Sequence, residues 1–178
     1  TRMEFRTPVH IAPFGFRIGH SHKGLLVGSC FADRIGRIMR NHKLPVTVNP
    51  FGTLFNPASI AATLKRLEEH RSYDAGDLTR YEERWISFDH HGAFDGSDCK
   101  QTLRRINEAL ETGAEALRTA DYAILTLGTA WVYELRDTGR IVANCHKLPA
   151  AMFRRRRMSA SEIVETLGEA ITRFLPGR

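Results

Sequence analysis

The sequence has 178 residues, which is enough for one domain with a sizeable hydrophobic core. Hydrophobic residues make up 42% of it, and no apolar run approaches the length of a membrane-spanning helix. The composition is therefore that of an ordinary globular domain, and neither a membrane protein nor a low-complexity chain is expected.

The formal net charge is +6, and a run of four arginines at 154–157 contributes much of it. Neither an aromatic stacking platform nor a nucleic-acid-binding motif accompanies this run, so no nucleic-acid partner is predicted. A solvated loop or the approach to a helix is the favoured interpretation of the run. Attraction of an anionic substrate is a second interpretation.

The three cysteines are an odd number and lie far apart, at Cys30, Cys99 and Cys145. Free thiols are therefore expected, rather than a disulfide framework. The first six residues lack the apolar core of a signal peptide, so a cytoplasmic location is predicted. The three cysteines and His146 are residue types that bind zinc, but their spacing is not that of a zinc motif. Neither a metal nor another cofactor is therefore predicted.

Residues 1–23 combine rough alternation with prolines and glycines, which predicts an extended arm packed on the domain, with an edge strand at most. An apolar run at Leu25–Val27 predicts a buried strand, and helical spacing then resumes over Cys30–Asn41. A second strand is predicted at Pro45–Val48. It is followed by a turn-rich loop at Asn49–Pro57, whose Asn-Pro end is typical of a helix start.

The turn between the first strand and the first helix carries two candidate nucleophiles, Ser29 and Cys30. Gly28 allows a sharp turn there, and a helix N-terminus behind it stabilises negative charge. The pattern matches the strand–turn–helix that presents a nucleophile at the rim of an α/β sheet. The structural alternative is equally simple: Ser29 is an N-cap and Cys30 a small core residue.

Residues 73–96 are the least regular part and include His90 and His91. These histidines either reach the edge of the sheet or are ordinary exposed loop residues. Ser97 is predicted to cap a long amphipathic helix. The apolar run Tyr122–Leu127 predicts a third parallel strand, which ends at Gly128.

Two strands at 132–136 and 140–143 are predicted to form a hairpin around a three-residue loop that ends at Gly139. This hairpin leads to Asn144–His146, where His146 is either a catalytic base or part of a structural link. Ser159 and Glu162 form a capping box before the last helix.

The letters Gly-Ser-Cys-Phe-Ala at 28–32 are the motif that names the GSCFA family. Further blocks of this chain, at Asn49–Pro57, Leu127–Val132 and Asn144–Pro149, resemble those of the family and occur in the same order. The resemblance covers nearly the whole sequence. It implies the SGNH (GDSL-like) hydrolase fold, an α/β three-layer α/β/α sandwich with a mostly parallel sheet of flavodoxin-like order, in a single domain over 1–178. Because that sheet has five strands, the resemblance also implies that the chain is the front part of the family's domain.

The resemblance further implies roles for individual residues. The Gly-Asp-Ser block of SGNH enzymes, laid on Gly28–Cys30, puts Cys30 in the nucleophile position, with Ser29 as the second candidate. Gly52 takes the place of a glycine whose N–H binds the oxyanion, while Ala130 stands where these enzymes carry a donor asparagine. The other residues expected to line the substrate and oxyanion side are Gly28, Asn49, Gly128, Thr129, His90 and His91. The base is either His146 or a histidine of the family's C-terminal segment, which this sequence lacks.

Two functions remain open at this point. The first is a hydrolase or acyltransferase that acts on a small-molecule or carbohydrate ester. The second is a non-catalytic binding or structural domain that keeps the fold and its cleft. The Gly28–Cys30 turn favours the enzyme, whereas Ala130 and the missing C-terminal histidine favour the binding domain.

Overall fold

The computed structural model describes residues 9–174, with eight strands and four α-helices in that range. The strands are β1 Gly24–Gly28, β2 Val46–Val48, β3 Thr79–Tyr81, β4 Arg84–Ile86, β5 Tyr122–Thr126, β6 Trp131–Leu135, β7 Ile141–Val142 and β8 Phe153–Arg157. The helices are α1 Cys30–Asn41, α2 Pro57–Glu69, α3 Cys99–Thr119 and α4 Ala160–Phe174.

Three strands form a parallel sheet in the order β2-β1-β5. The central strand is the apolar run Leu25–Val27, whose side chains are fully buried. Leu26 lies opposite Val48 on one side and Ile124 on the other. A continuous apolar run is typical of a strand covered on both faces, because neither face meets water. The predicted parallel arrangement of the three strands is confirmed.

Helices cover both faces of this sheet. On one face Leu26 packs with Ala32 and Met39 of α1. On the other face Leu25 and Val27 belong to the core cluster that contains the apolar stripes of α2 and α3, and α4 packs against α2. Full burial of each such aliphatic side chain contributes about 1.5–3 kcal/mol. The predicted three-layer α/β/α arrangement is therefore present.

The helix starts follow from local capping chemistry. Asn56 caps α2, since its side chain accepts a hydrogen bond from the N–H of Ser59 at 2.8 Å, and Pro57 occupies the first turn. The capping box of α4 is also confirmed, with Ser159 N–H donating to Glu162 at 2.7 Å. The prediction for α3 was wrong by one residue: Asp98, not Ser97, is its N-cap, because the Asp98 carboxylate accepts from Gln101 N–H.

The second half of the chain builds antiparallel sheets beside the parallel one. The predicted hairpin is confirmed as β6 and β7, and Gly139 has the positive φ of 70° that its loop requires. The prediction that residues 154–157 form a loop or the approach to a helix was wrong, because these residues belong to β8. This strand pairs with β6, and the sheet has the order β7-β6-β8. The chain also forms an unpredicted hairpin from β3 and β4.

The arginine run became a strand because its charges are accommodated on one face of this sheet. Glu134 of β6 is buried and accepts hydrogen bonds from Arg156 at 2.6 Å and Arg154 at 2.9 Å. These hydrogen bonds hold the pKa of Glu134 below its ordinary value, and the bond from Arg156 has the larger effect. Alternation along β8 places Arg155 on the opposite face, where its guanidinium stacks on Trp131.

The packed arm predicted for residues 1–23 is wrong over its described part. Residues 9–23 form no strand, and the side chains of Val9, Ile11, Phe14 and Phe16 are all at least 68% exposed. The alternating apolar residues there pair with neither edge strand of the parallel sheet, β2 or β5. Residues 1–8 lie outside the described range.

All three cysteines are free thiols. Within residues 9–174, no helix combines the length and the apolar character that crossing a bilayer would require.

Candidate functional site

The turn at Gly28 joins the central strand to α1 through a conformation that only glycine adopts easily. Its φ is 143°, and a Cβ atom placed there would lie 2.2 Å from the carbonyl oxygen of Thr126. The next N–H, that of Ser29, donates to the same carbonyl at 2.9 Å. The turn is therefore fixed against the carboxyl end of β5, at the edge where open α/β sheets bind ligands.

Ser29 has the structural role that the sequence left open. It is buried, and it is the N-cap of α1, with its hydroxyl oxygen accepting from Phe31 N–H at 3.4 Å. The same hydroxyl lies 3.0 Å from the Thr126 hydroxyl. These contacts hold the Ser29 side chain within the joint between β1, β5 and α1.

Cys30 is the first residue of α1, and it is exposed. The helix dipole stabilises negative charge at this end, where the N–H groups of Phe31 and Ala32 donate to Ser29. Of the two candidate nucleophiles, Cys30 is thus the one that a substrate can reach from solvent.

A polar network fixes the loop after β2 to this turn. The side-chain oxygen of Asn49 accepts from Gly28 N–H at 2.7 Å, and its amide nitrogen donates to Asp33 at 2.7 Å. The second Asp33 oxygen accepts from the Thr53 hydroxyl at 2.7 Å. Asn49 was expected here, whereas Asp33, Thr53 and Thr126 were missed. The only sequence signal for Asp33 was its place in the first turn of α1.

Three of the backbone N–H groups expected to bind an oxyanion are already engaged. Gly52 N–H donates to the Asn49 carbonyl at 2.8 Å, and the N–H groups of Gly128 and Thr129 donate to the Phe55 carbonyl at 2.8 and 3.0 Å. Gly52 is needed for the turn itself, with a φ of 82° and the Cβ of His91 packed where its own Cβ would be. These groups shape the edge of the sheet by closing its loops.

His90 is a core residue, so its interpretation as an ordinary exposed loop histidine was wrong. Its ring is fully buried and lies 4.3 Å from the ring of Phe51 and 5.0 Å from those of Tyr73 and Phe94. Nδ1 pairs with the Ser87 hydroxyl at 2.8 Å, while Nε2 is buried without a hydrogen-bond partner. Desolvation lowers the pKa of His90 to about 3, and the positive charge of Arg66 is the second cause of this shift. The imidazole is therefore neutral at ordinary pH.

His146 is also buried. Its Nε2 lies 2.9 Å from the Ser87 carbonyl oxygen. Its Nδ1 lies 2.9 Å from a carboxylate oxygen of Asp95 but makes no hydrogen bond. The ring packs edge-on against Phe88. The structural interpretation of the Asn144–His146 segment fits this buried arrangement.

His91 lines a cleft of about 740 Å³ between the loop after β2 and the β7-β6-β8 sheet. Its N–H donates to the Phe51 carbonyl at 2.9 Å, and its Nδ1 accepts from Ala93 N–H at 3.2 Å, which leaves Nε2 for a ligand. Thr129 and Thr53, whose hydroxyl donates to Asp33 of α1, also line this cleft, whereas Gly28, Ser29 and Cys30 do not. The rest of the lining is largely apolar and aromatic, and comes from the loop after β2 and from the β7-β6-β8 sheet: Phe55, Asn56, Trp131, Tyr133, Val142, Ala143, Asn144, Cys145, Leu148, Ala150, Phe153 and Arg155.

The cleft volume of about 740 Å³ lies within the range of small-molecule binding sites, about 300–1,000 Å³. Cys145 is the one cysteine in the wall of this cleft, and burial raises the pKa of its thiol above the ordinary value. Among the described residues, no three His, Cys, Asp or Glu side chains are grouped as metal ligands would be.

The sequence model of the GSCFA family matches residues 23–176. Searches of curated proteins and of solved structures found no match.

Proposed function

This chain belongs to the GSCFA family, and on that premise we propose that it is a hydrolase or acyltransferase that attacks an ester through Cys30. The observation that carries the proposal is the exposed thiol at the first position of α1, at the carboxyl edge of a parallel sheet. The substrate class is a small-molecule or carbohydrate ester.

The chemistry follows a thiol nucleophile. The Cys30 proton passes to solvent, and the sulfur attacks the ester carbonyl carbon to give a tetrahedral oxyanion. The N-terminus of α1 is the source of stabilisation for that charge, through the helix dipole. The carbon–oxygen bond then breaks, the alcohol leaves with a proton from water, and a thioester remains on Cys30. Attack by water completes hydrolysis, and attack by a second alcohol completes acyl transfer.

The neighbouring residues take positioning and binding roles in this proposal. Asn49 and Asp33 hold the turn and the following loop together through the 2.7 Å bonds of their network. His91, with Nδ1 occupied, presents Nε2 to a substrate in the cleft. Gly28 allows the close approach to Thr126, and Ser29 caps the helix.

A binding domain without catalysis is the second candidate, and specific contacts favour it. The backbone donors expected at Gly52, Gly128 and Thr129 are used within the protein, and His146 is buried with Nε2 bonded to the Ser87 carbonyl. Ala130 adds no side-chain donor. In this alternative the cleft binds a ligand, and Cys30 forms no covalent intermediate.

The acyl-enzyme distinguishes the two functions. Brief incubation with 4-nitrophenyl acetate, followed by intact-protein mass spectrometry, should show the addition of one acetyl group with release of 4-nitrophenolate. Cys30→Ala should remove the addition. Cys145→Ala, which removes another partly accessible thiol, should retain it. An acetyl group that persists in Cys30→Ala, or no acetylation of the folded wild type by any activated ester, would contradict the enzymatic proposal.

A further inference from the structure

The cleft lined by His91 and Arg155 has an uneven distribution of charge. Its lining contains no carboxylate, and its only permanently charged side chain is Arg155. Among the described residues Arg155 makes no ion pair, although its neighbours Arg154 and Arg156 are both paired with Glu134 on the other face of the sheet. The charge of Arg155 is thus available to a ligand, while the charges on either side of it are compensated.

Arg155 is also held in a definite orientation. Its guanidinium carbon lies 4.0 Å from the centroid of the Trp131 ring, in a cation–π contact. Stacking engages the flat face of the guanidinium and leaves its edge N–H groups free to donate to an anion. A preorganised arginine loses less conformational entropy when it binds than a freely moving side chain does.

The rest of the cleft supplies an apolar surface next to this charge. Trp131 and Tyr133 are about 40% exposed along one face of β6, and Phe55 is 42% exposed on the neighbouring loop. Buried Val142 and Phe153 form part of the lining behind them. Monomeric proteins seldom expose so many large apolar side chains around one concave surface unless that surface binds something.

We propose that this cleft binds an amphipathic organic anion, whose aromatic or aliphatic body lies on Trp131 and Tyr133 and whose carboxylate or other anionic group pairs with Arg155. This proposal rests on the proposed function in one respect, since it makes the substrate of Cys30 an ester that carries such a group. The binding itself needs no chemistry at Cys30.

A matched pair of fluorescent probes tests the charge and the apolar surface separately. 8-Anilino-1-naphthalenesulfonate is anionic, and N-phenyl-1-naphthylamine has the same aromatic body without the sulfonate. Titration of the folded chain should give one site that prefers the anionic probe. Arg155→Gln should weaken the anionic probe by about tenfold, the scale of one charge-assisted hydrogen bond, and leave the neutral probe unchanged. Trp131→Ala should weaken both probes.

Arg104→Gln is the control for general electrostatics, because Arg104 is an exposed arginine of α3 that does not line the cleft. It should leave both affinities unchanged. Arg155→Lys, which keeps the charge but not the planar guanidinium, should fall between the wild type and Arg155→Gln. Thermal unfolding and circular dichroism of each variant should show that it keeps the wild-type fold.

Equal affinity of the wild type for the two probes would overturn the proposal. So would equal losses in Arg155→Gln and Arg104→Gln. Because neither titration involves turnover, a failure of Cys30 to form an acyl-enzyme would leave this result intact. Conversely, acylation of Cys30 without probe discrimination would reject only the substrate class.

Discussion

The buried imidazole of His90 should make the stability of this protein depend on pH, and His90→Phe should remove that dependence. The ring is enclosed by Phe51, Tyr73 and Phe94, and its Nε2 has no hydrogen-bond partner. A phenyl ring has a similar shape and needs no such partner. The substitution therefore removes a titrating group from the core while largely preserving the packing.

The size of the effect follows from the two pKa values of the imidazole. In the folded protein the pKa is lowered from 6.5 to about 3, so only the unfolded chain binds this proton at mildly acidic pH. The free energy of unfolding is therefore unaffected above the unfolded value and falls as the pH drops below it, until the folded pKa is reached. Between about pH 7 and about pH 5, His90 should lower the free energy of unfolding by about 2 kcal/mol.

Urea unfolding followed by tryptophan fluorescence at several pH values measures this term. The difference in free energy of unfolding between His90→Phe and the wild type should grow by about 2 kcal/mol as the pH falls from about 7 to about 5, with unchanged m-values. Phe94→Leu is the matched control. It loosens the same cluster but keeps the imidazole, so its pH dependence should be that of the wild type.

Parallel pH profiles for the wild type and His90→Phe would contradict this prediction. They would show that the folded protein binds a proton at His90 as readily as the unfolded chain does. Either the ring would then be accessible to water, or an acceptor would lie at Nε2.

Three further outcomes test the Gly28–Cys30 turn by itself. Gly28→Ala should lower the free energy of unfolding by about 2–4 kcal/mol, because it combines a positive φ with a backbone clash. Gly139→Ala, at a positive φ in open space, should lower it by about 1 kcal/mol. Equal losses for the two variants in urea unfolding would contradict the packing of the Gly28 turn. Ser29→Ala should lower the free energy of unfolding by about 1 kcal/mol because the helix cap is lost, and 4-nitrophenyl acetate should still acetylate the protein. A stable Ser29→Ala variant that is not acetylated would make Ser29 the nucleophile. Iodoacetamide should label exposed Cys30 before Cys145, because burial slows access to the Cys145 thiol and raises its pKa. Peptide mapping that gives the reverse order would contradict the choice of Cys30 as the reactive thiol.

The features that the sequence predicted correctly depend on near neighbours in the chain. The strand at Leu25–Val27, the cap at Asn56 and the hairpin ending at Gly139 each follow from residues within a few positions of one another. The family was recognisable for a similar reason, since Gly-Ser-Cys-Phe-Ala at 28–32 is contiguous. Hydrophobic periodicity, side-chain capping and a positive φ at glycine are local effects, and sequence patterns record them directly.

The identity of the chemically useful side chains was decided by tertiary structure. His90 and His91 are adjacent in the chain, but one is enclosed by aromatic rings and the other lines the cleft. The arginines at 154–157 form a strand because Glu134, twenty positions before Arg154, accepts hydrogen bonds from two of them. Burial, pairing and charge compensation depend on partners distant in sequence, so no local pattern contains them. They are fixed only when the sheets and helices pack together, and that packing left Cys30 and Arg155 accessible while it enclosed His146.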